Sequence, residues 1–220
     1  MITQDCINSR KSSRKFLKKD IPRETIREVI REAMRSPSYK NSQPWEVIVV
    51  SGNKKNELSE YLILLSEKNT EIEPDIPVPQ SWPEYIQNRI SDTMNKRSLA
   101  FGVTSGDPES VKKSKQANFN FYGAPAGLFF YQDASLGQWS LLDMGMFVEN
   151  VILGFHSRGI ASVPQAFLID YSKQVKTFLN IPLNKKLVLG MSIGYPDTND
   201  IRSNFTTPRV LVDEILKWIE

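Results

Sequence analysis

The chain is poor in the residues that most enzymes use as catalytic equipment. Its 220 residues include one cysteine, Cys6, and one histidine, His156. A single cysteine excludes an internal disulfide and leaves no Cys/His spacing for a zinc site. Cys6 itself reads as a small buried apolar residue on a first helix, not as a reactive thiol. With one histidine, a serine–histidine–acid system has only one candidate base. His156 falls near the end of a long helix, where the dipole and the last carbonyls favour a cation. Neither G-x-G-x-x-G nor G-x-x-x-x-G-K-[ST] occurs, so no Rossmann or P-loop phosphate site is supported. Gly190 and Gly194 have G-x-x-x-G spacing, but on an expected strand it carries no meaning. No apolar run approaches the roughly 18 residues of a membrane helix, and the Met1–Phe16 stretch lacks the apolar core of a signal peptide. The expectation is a cytoplasmic protein. Charge is nearly balanced, 28 basic against 25 acidic residues. That argues against nucleic acid and membrane as partners, though a local basic cluster can still hold one phosphate. An enzyme this short of acid–base groups borrows its chemistry from a cofactor.

What is present is a pattern of helices interleaved with buried strands. Pro22 suits the first turn of a helix, and Ile26, Val29, Ile30, Ala33 and Met34 then form one apolar stripe. Pro37 is expected to end it. Glu46–Val50 reads as a strand closed by Ser51-Gly52-Asn53, and residues 54–66 as a helix. The stretch 70–83 holds Pro74, Pro77, Pro79 and Pro83 and reads as a loop or lid without packing of its own. Helices are expected over 84–99 and 108–121, joined by a bend from Gly102 to Gly106. Gly127–Tyr131 and Lys186–Ile193 read as strands, the latter broken at Gly194-Tyr195-Pro196. Between them, 138–158 is apolar nearly all round and should be central. The arrangement predicts an α+β fold with helices layered on a sheet, in one domain with a proline-rich excursion at about 70–100.

Three segments carry a chemical signal. In Ser9–Phe16, Arg10, Ser12 and Arg14 alternate, so an extended backbone aims two guanidinium groups and a hydroxyl to one side. Ser36–Trp45 runs from a helix end through a polar, proline-bounded turn into a strand. Gly159–Ala166 combines proline with small residues, which suits backbone that approaches a flat ligand closely. In order and separation these segments resemble the nitroreductase family of flavoproteins, over nearly the whole chain. The motifs are R-x-S-x-R-x-F at Arg10–Phe16, P-S-x-x-N-x-Q-P-W at Pro37–Trp45, and N-F-x-F-Y-G-A-P at Asn118–Pro125. They continue with W-S-x-L-D-M-G-M at Trp139–Met146, G-I-A-S-V-P-Q-A at Gly159–Ala166, G-Y-P at Gly194–Pro196 and T-P-R-x-x-x-D-E-I at Thr207–Ile215. The branch with nitrobenzoate-type reductases is the most similar.

The resemblance implies a nitroreductase-like fold, a mixed, mainly antiparallel sheet sandwiched by helices, in an intertwined homodimer with FMN at the subunit interface. Arg10, Lys11, Ser12 and Arg14 then hold phosphate and ribityl, and Arg209 adds a terminal phosphate contact. Thr206 stands where the family often has a second basic residue. Ser38, Tyr39 and Asn41 come from the other subunit, Asn118 lies near the pyrimidine ring, and Pro164, Gln165 and Ala166 supply backbone near N5. No protein side chain is expected to be catalytic, and no metal is implied. The implied activity is a ping-pong transfer of electron pairs from NADH or NADPH to a nitroaromatic or related small acceptor. Alternatives are a quinone or enone reductase, a dehalogenating or flavin-fragmenting relative, a flavin-binding protein without turnover, and a purely structural dimer. Phe119, Phe121 and Tyr122 read as core. Arg89 and Arg97 read as solvated helix residues, with a carboxylate-bearing acceptor as the other reading.

Overall fold

Alternating burial along Ala126–Asp133 organises the molecule. Ala126, Leu128 and Phe130 face one side and Phe129 the other, all fully or almost fully buried, as the two-residue period of a strand covered on both faces requires. A computed structural model describes residues 2–104 and 106–220; Ser105, inside the expected Gly102–Gly106 bend, lies outside them. The sheet has four strands, β1 (Glu46–Ser51), β2 (Ala126–Asp133), β3 (Ala161–Gln165) and β4 (Lys185–Gly194). Their order is β1-β2-β4-β3, and each adjacent pair is antiparallel. The stretch Arg10–Phe16 adds a parallel bridge, Ser12 to Ser162 on β3, and Phe16 bridges Pro196.

After the short α1 (Thr3–Ser9), one face of the sheet is covered by α2 (Arg23–Ala33) and the long α6 (Gln138–His156). Ile26, Val29 and Ala33 meet Phe147, Val151 and Phe155 there. The two helices approach closely at Gly154, where a Cβ would sit 3.0 Å from Val29 Cγ1. On the other face lie α3 (Gly52–Glu67), α5 (Pro108–Phe119) and α7 (Ser172–Phe178), which bury Leu58, Leu62, Phe119 and Val175 with Phe121, Leu168 and Tyr171. The result is the expected sandwich of helices around a mainly antiparallel sheet. Among the described residues, no helix is long and apolar enough to cross a membrane.

Four local expectations need correction. The helix before Pro37 ends at Ala33, where the Ser36 hydroxyl donates to the Ala33 carbonyl at 2.6 Å and stops it ahead of the proline. Helix α3 starts at Gly52, two residues ahead of the expected 54, and the left-handed Gly52 (φ 58°) makes the turn out of β1. The Gly159–Ala166 segment contains the fourth strand, β3. Its proline is tolerated because β3 is an edge strand with no partner needed for that missing N–H. Lastly, the proline-rich stretch is pinned at its start. Glu73 N–H donates to the Asp170 carbonyl at 2.9 Å. The Asp75 carboxylate accepts from Leu187 N–H at 2.8 Å and pairs with the buried Lys176 ammonium at 2.9 Å. Beyond it, α4 (Glu84–Phe101) buries no residue completely and touches the body at α8 (Ile201–Asn204), beside an edge-to-face Phe101–Phe205 contact at 5.7 Å. After Phe205 the chain runs out with Leu211, Val212, Ile215, Trp218 and Ile219 largely exposed.

Candidate functional site

A cleft of about 1260 Å³ opens between the end of β3, the Arg10–Phe16 stretch, α4, α5 and α8. Small-molecule sites occupy roughly 300–1,000 Å³, so this one has room for a flat ligand and a second beside it. Its lining includes Arg14, Lys15, Arg97, Lys113, Lys115 and Arg202 but only one carboxylate, Asp200. That carboxylate is already committed: the Arg202 guanidinium grips it through Nε and Nη2 and holds its pKa down at about 2. The cleft therefore presents unmatched positive charge to whatever enters.

Its floor is built by β3. Pro164 and Ala166 face outward, whereas Gln165 is turned inward and buried. The Gln165 amide donates to the Asn118 carbonyl at 3.0 Å and to Asn118 Oδ1 at 3.2 Å, and its oxygen accepts from the Ser192 hydroxyl. Asn118 in turn donates to the Ser114 carbonyl at 2.9 Å. Both amide side chains are thus locked by buried partners, which fixes the exposed backbone of Pro164–Ala166 as a rigid surface. Gly190, opposite Gln165 on β4, lets Leu168 pack close, since a Cβ there would lie 2.5 Å from Leu168 Cβ.

Arg14 is held by its backbone. Its N–H donates to the Arg202 carbonyl at 2.9 Å, and the buried Ser13 and Ser203 hydroxyls tie the same stretch to α8. Opposite Arg14 stands Tyr122. Phe121 and Tyr122 have φ of 52° and 53°, and Gly123 of 78°. Left-handed backbone costs about 1–2 kcal/mol at each non-glycine residue. Full burial of Phe121 offsets it, since burying a phenylalanine side chain contributes about 1.5–3 kcal/mol. The turn drives the Phe121 ring into the core and leaves Tyr122 in the cleft. Burial pushes the Tyr122 phenol above its usual pKa, while Arg14 and Arg97 nearby and hydrogen bonds from Arg14 and Asn118 pull against that. The expectation of an aromatic core holds fully for Phe119 and Phe121; Tyr122 is half-buried, packing against that core and also lining the cleft. Position inside N-F-Y-G, just ahead of a glycine that accepts positive φ, was the available signal.

Arg97 also faces the cleft. Burial pushes its pKa down, the Arg14 charge adds to that, and Tyr122 opposes it. Arg89 does not line the cleft; it pairs with Glu214 at 3.4 Å and lies over the Tyr85 ring.

Of the residues singled out in the sequence, the cleft gathers Arg14, Asn118, Pro164, Gln165 and Ala166. Arg10, Lys11 and Ser12 run along the same extended stretch but outside the cleft lining, and Lys11 donates to Asn204 at 2.9 Å. Ser38, Tyr39 and Asn41 lie elsewhere, against the start of α6. The buried Asp143 carboxylate accepts from Tyr39 N–H at 3.1 Å with both oxygens and from the Ser42 hydroxyl at 3.4 Å. Lys40 and Asn41 there also have positive φ, and Tyr39 stacks on Trp139 at 5.7 Å. Arg209 lies in the exposed tail and bonds back to Thr207. His156 differs from the expected helix-end cation: burial, then Arg10 and Lys11, push its pKa down, and it shares a 2.8 Å hydrogen bond with Ser9.

The nitroreductase family profile matches residues 7–195. A 4-nitrobenzoate reductase of Pseudomonas putida is 30% identical over 79% of this chain and 76% of its own. A nitrobenzene nitroreductase of Ectopseudomonas oleovorans is 25% identical over 84% of this chain and 82% of its own. The crystal structure of the FMN-dependent nitroreductase NfnB from Mycobacterium smegmatis, in complex with NADPH, superposes with a TM-score of 0.94 at 28% identity, over 99% of this chain and 97% of that one. With the family profile matched over most of its length and its fold superposing so closely on that structure, the chain belongs to the nitroreductase family.

Proposed function

We propose that this chain is an FMN-dependent oxidoreductase that uses NAD(P)H to reduce nitroaromatic or related small acceptors, as a homodimer. The observation that carries the reading is the cleft itself, a rigid backbone floor beside a surplus of cations, in a member of this family. The residues fit FMN. The cleft offers guanidinium groups for an anion at Arg14, and Arg10 and Lys11 follow along the same stretch towards a phosphate. Pro164–Ala166 offers exposed backbone for a flat ring, and Asn118 is oriented by Gln165. When bound, FMN accepts a hydride from NAD(P)H and hands the electron pair to an acceptor. A nitro group takes two electrons and two protons, giving a nitroso group and water.

This chain's part is to bind, orient and exclude. The volume accommodates a ring and one further aromatic, so reductant and acceptor use the same face in turn, a ping-pong order. Ser38, Tyr39, Asn41 and Arg209 stand away from the cleft of their own chain, and the exposed apolar tail calls for cover. Both features support a second copy completing the site. The 220 residues act as one unit, with the 70–100 excursion as its cover.

An absorption spectrum of the purified protein, before and after anaerobic NADH or NADPH, tests cofactor and reductant together. A flavin band that bleaches on mixing, before any acceptor is added, is expected. A colourless protein that ignores added FMN overturns the reading, and so does a flavin band that neither nucleotide bleaches.

A further inference from the structure

We infer that Arg97 is the residue that selects the acceptor, and that it selects aromatics bearing a carboxylate or a comparable anionic substituent. The inference rests on the function proposed above and names its substrate class. Relatives of this chain are named for a charged acceptor and for a neutral one, 4-nitrobenzoate and nitrobenzene, so their names do not decide the matter. The side chains do.

Met94, Arg97, Ser98 and Phe101 all line the cleft, and their spacing of three, four and seven residues puts them on one face of α4. A cation is thus flanked along the helix by a thioether and an aromatic ring, with Val111 of α5 also in the lining. That is the complement of an aromatic ring ending in an anion. Arg97 is half-buried, and no carboxylate among the described residues pairs with it. Its Nη2 donates to the Met94 sulfur at 3.0 Å. The charge of Arg14 repels it. The single acid of the cleft, Asp200, is taken by Arg202. A half-buried guanidinium beside a like charge is stabilised when an anion comes to it.

That anion belongs to the acceptor and not to the cofactor. Arg10, Lys11 and Arg14 already bring cations to the body of the protein, where a phosphate would be held. Arg97 sits instead on the excursion, on a helix that buries no residue completely and meets the body at α8. A group there covers what comes and goes over the floor. The planar fork of arginine also matches a carboxylate in a way a lysine does not.

The test compares two acceptors of nearly equal shape, 4-nitrobenzoate and 4-nitrobenzamide, and two non-reducible ligands, benzoate and benzamide, read by their perturbation of the flavin spectrum. In the parent holoenzyme benzoate binds more tightly than benzamide. In Arg97→Met the kcat/KM for 4-nitrobenzoate falls by about tenfold or more, as expected for a lost charge-assisted hydrogen bond, and benzoate binding weakens in parallel. The two amides change little, Arg97→Lys retains part of the preference, and bound flavin and its rate of reduction by NAD(P)H stay as in the parent. Equal losses for acid and amide would overturn the inference. Weakened flavin binding would too, because it assigns Arg97 to FMN, as would a raised KM for NAD(P)H with the acid preference intact, because it assigns Arg97 to the nucleotide phosphates. A parent protein that carries no flavin fails the function proposed above; a yellow, reducible parent that binds benzoate and benzamide alike fails this inference alone.

Discussion

Replacing Asp170 by asparagine should stabilise the protein at neutral pH. Asp170 follows the short turn after β3 and is only 8% exposed. Its backbone is well used, since its carbonyl accepts from Glu73 N–H, but its carboxylate has no hydrogen-bond donor among the described residues. Burial pushes its pKa up from the ordinary 3.8 to about 6, and Lys115 opposes this only in part. A folded pKa above the unfolded one means that the native state binds more protons between those values, so stability falls as pH rises through that window. Below about pH 4 both states are protonated and nothing is lost. Above about pH 6 the full penalty applies, at most about 3 kcal/mol at 1.36 kcal/mol per pH unit. Asparagine keeps the shape and removes the charge, while its own amide still has to be buried. Asp170→Asn should therefore exceed the parent by about 1–3 kcal/mol at pH 7.5 and by much less at pH 4.5. Urea unfolding at fixed protein concentration and both pH values measures this. A difference independent of pH, or a less stable variant at pH 7.5, would refute the assignment of the buried charge.

Gly127→Ala places a Cβ 2.4 Å from Phe121 Cε1. It should lower stability by about 1–3 kcal/mol through overpacking, and because Phe121 starts the turn that presents Tyr122, FMN titration should show weaker binding. Asp143→Ala leaves the Tyr39 N–H and the Ser42 hydroxyl, which flank the left-handed Lys40–Asn41 backbone, without their acceptor, so a loss of about 1–3 kcal/mol should accompany faster tryptic cleavage at Lys40. In Asp75→Ala, Lys176 is left buried without its counter-charge. A destabilisation of about 3–5 kcal/mol and early proteolysis within residues 70–83 are expected, whereas a leucine replacing Lys176 as well should recover part of the loss.

The elements read well from sequence where burial has a simple period. The stripe of α2 and the apolar length of α6 needed only local spacing, and β2 and β4 needed only short apolar runs with turn signals. The strand β3 escaped because Ala161-Ser162-Val163-Pro164-Gln165 has neither alternation nor β-branched richness. What makes it a strand is its neighbour β4, a partner about 30 residues away that no local window sees. Pinning of the proline-rich stretch escaped for the same reason, since Asp75 meets Lys176 and Leu187 more than a hundred residues on. For the site, resemblance located Arg14, Asn118 and Pro164–Ala166 in one place. It did not reveal that Tyr122 faces the cleft or that Arg97 stands there unpaired, because both depend on backbone handedness and on where a peripheral helix comes to rest.

The two left-handed turns bear on how the site is built. Lys40–Asn41 and Phe121–Tyr122 each place non-glycine residues at positive φ, and each is held by something strong, the Asp143 carboxylate in one case and complete burial of Phe121 in the other. Backbone of this kind persists only where surrounding contacts over-determine it. At the second turn Phe121 is fully buried while the half-buried Tyr122 reaches the cleft, and at the first Tyr39 is exposed and stacks on Trp139. On the proposed reading, one turn addresses the cleft of its own chain and the other the cleft of a second copy. The strain then serves one end at both places, to hold a tyrosine side chain beside a cleft.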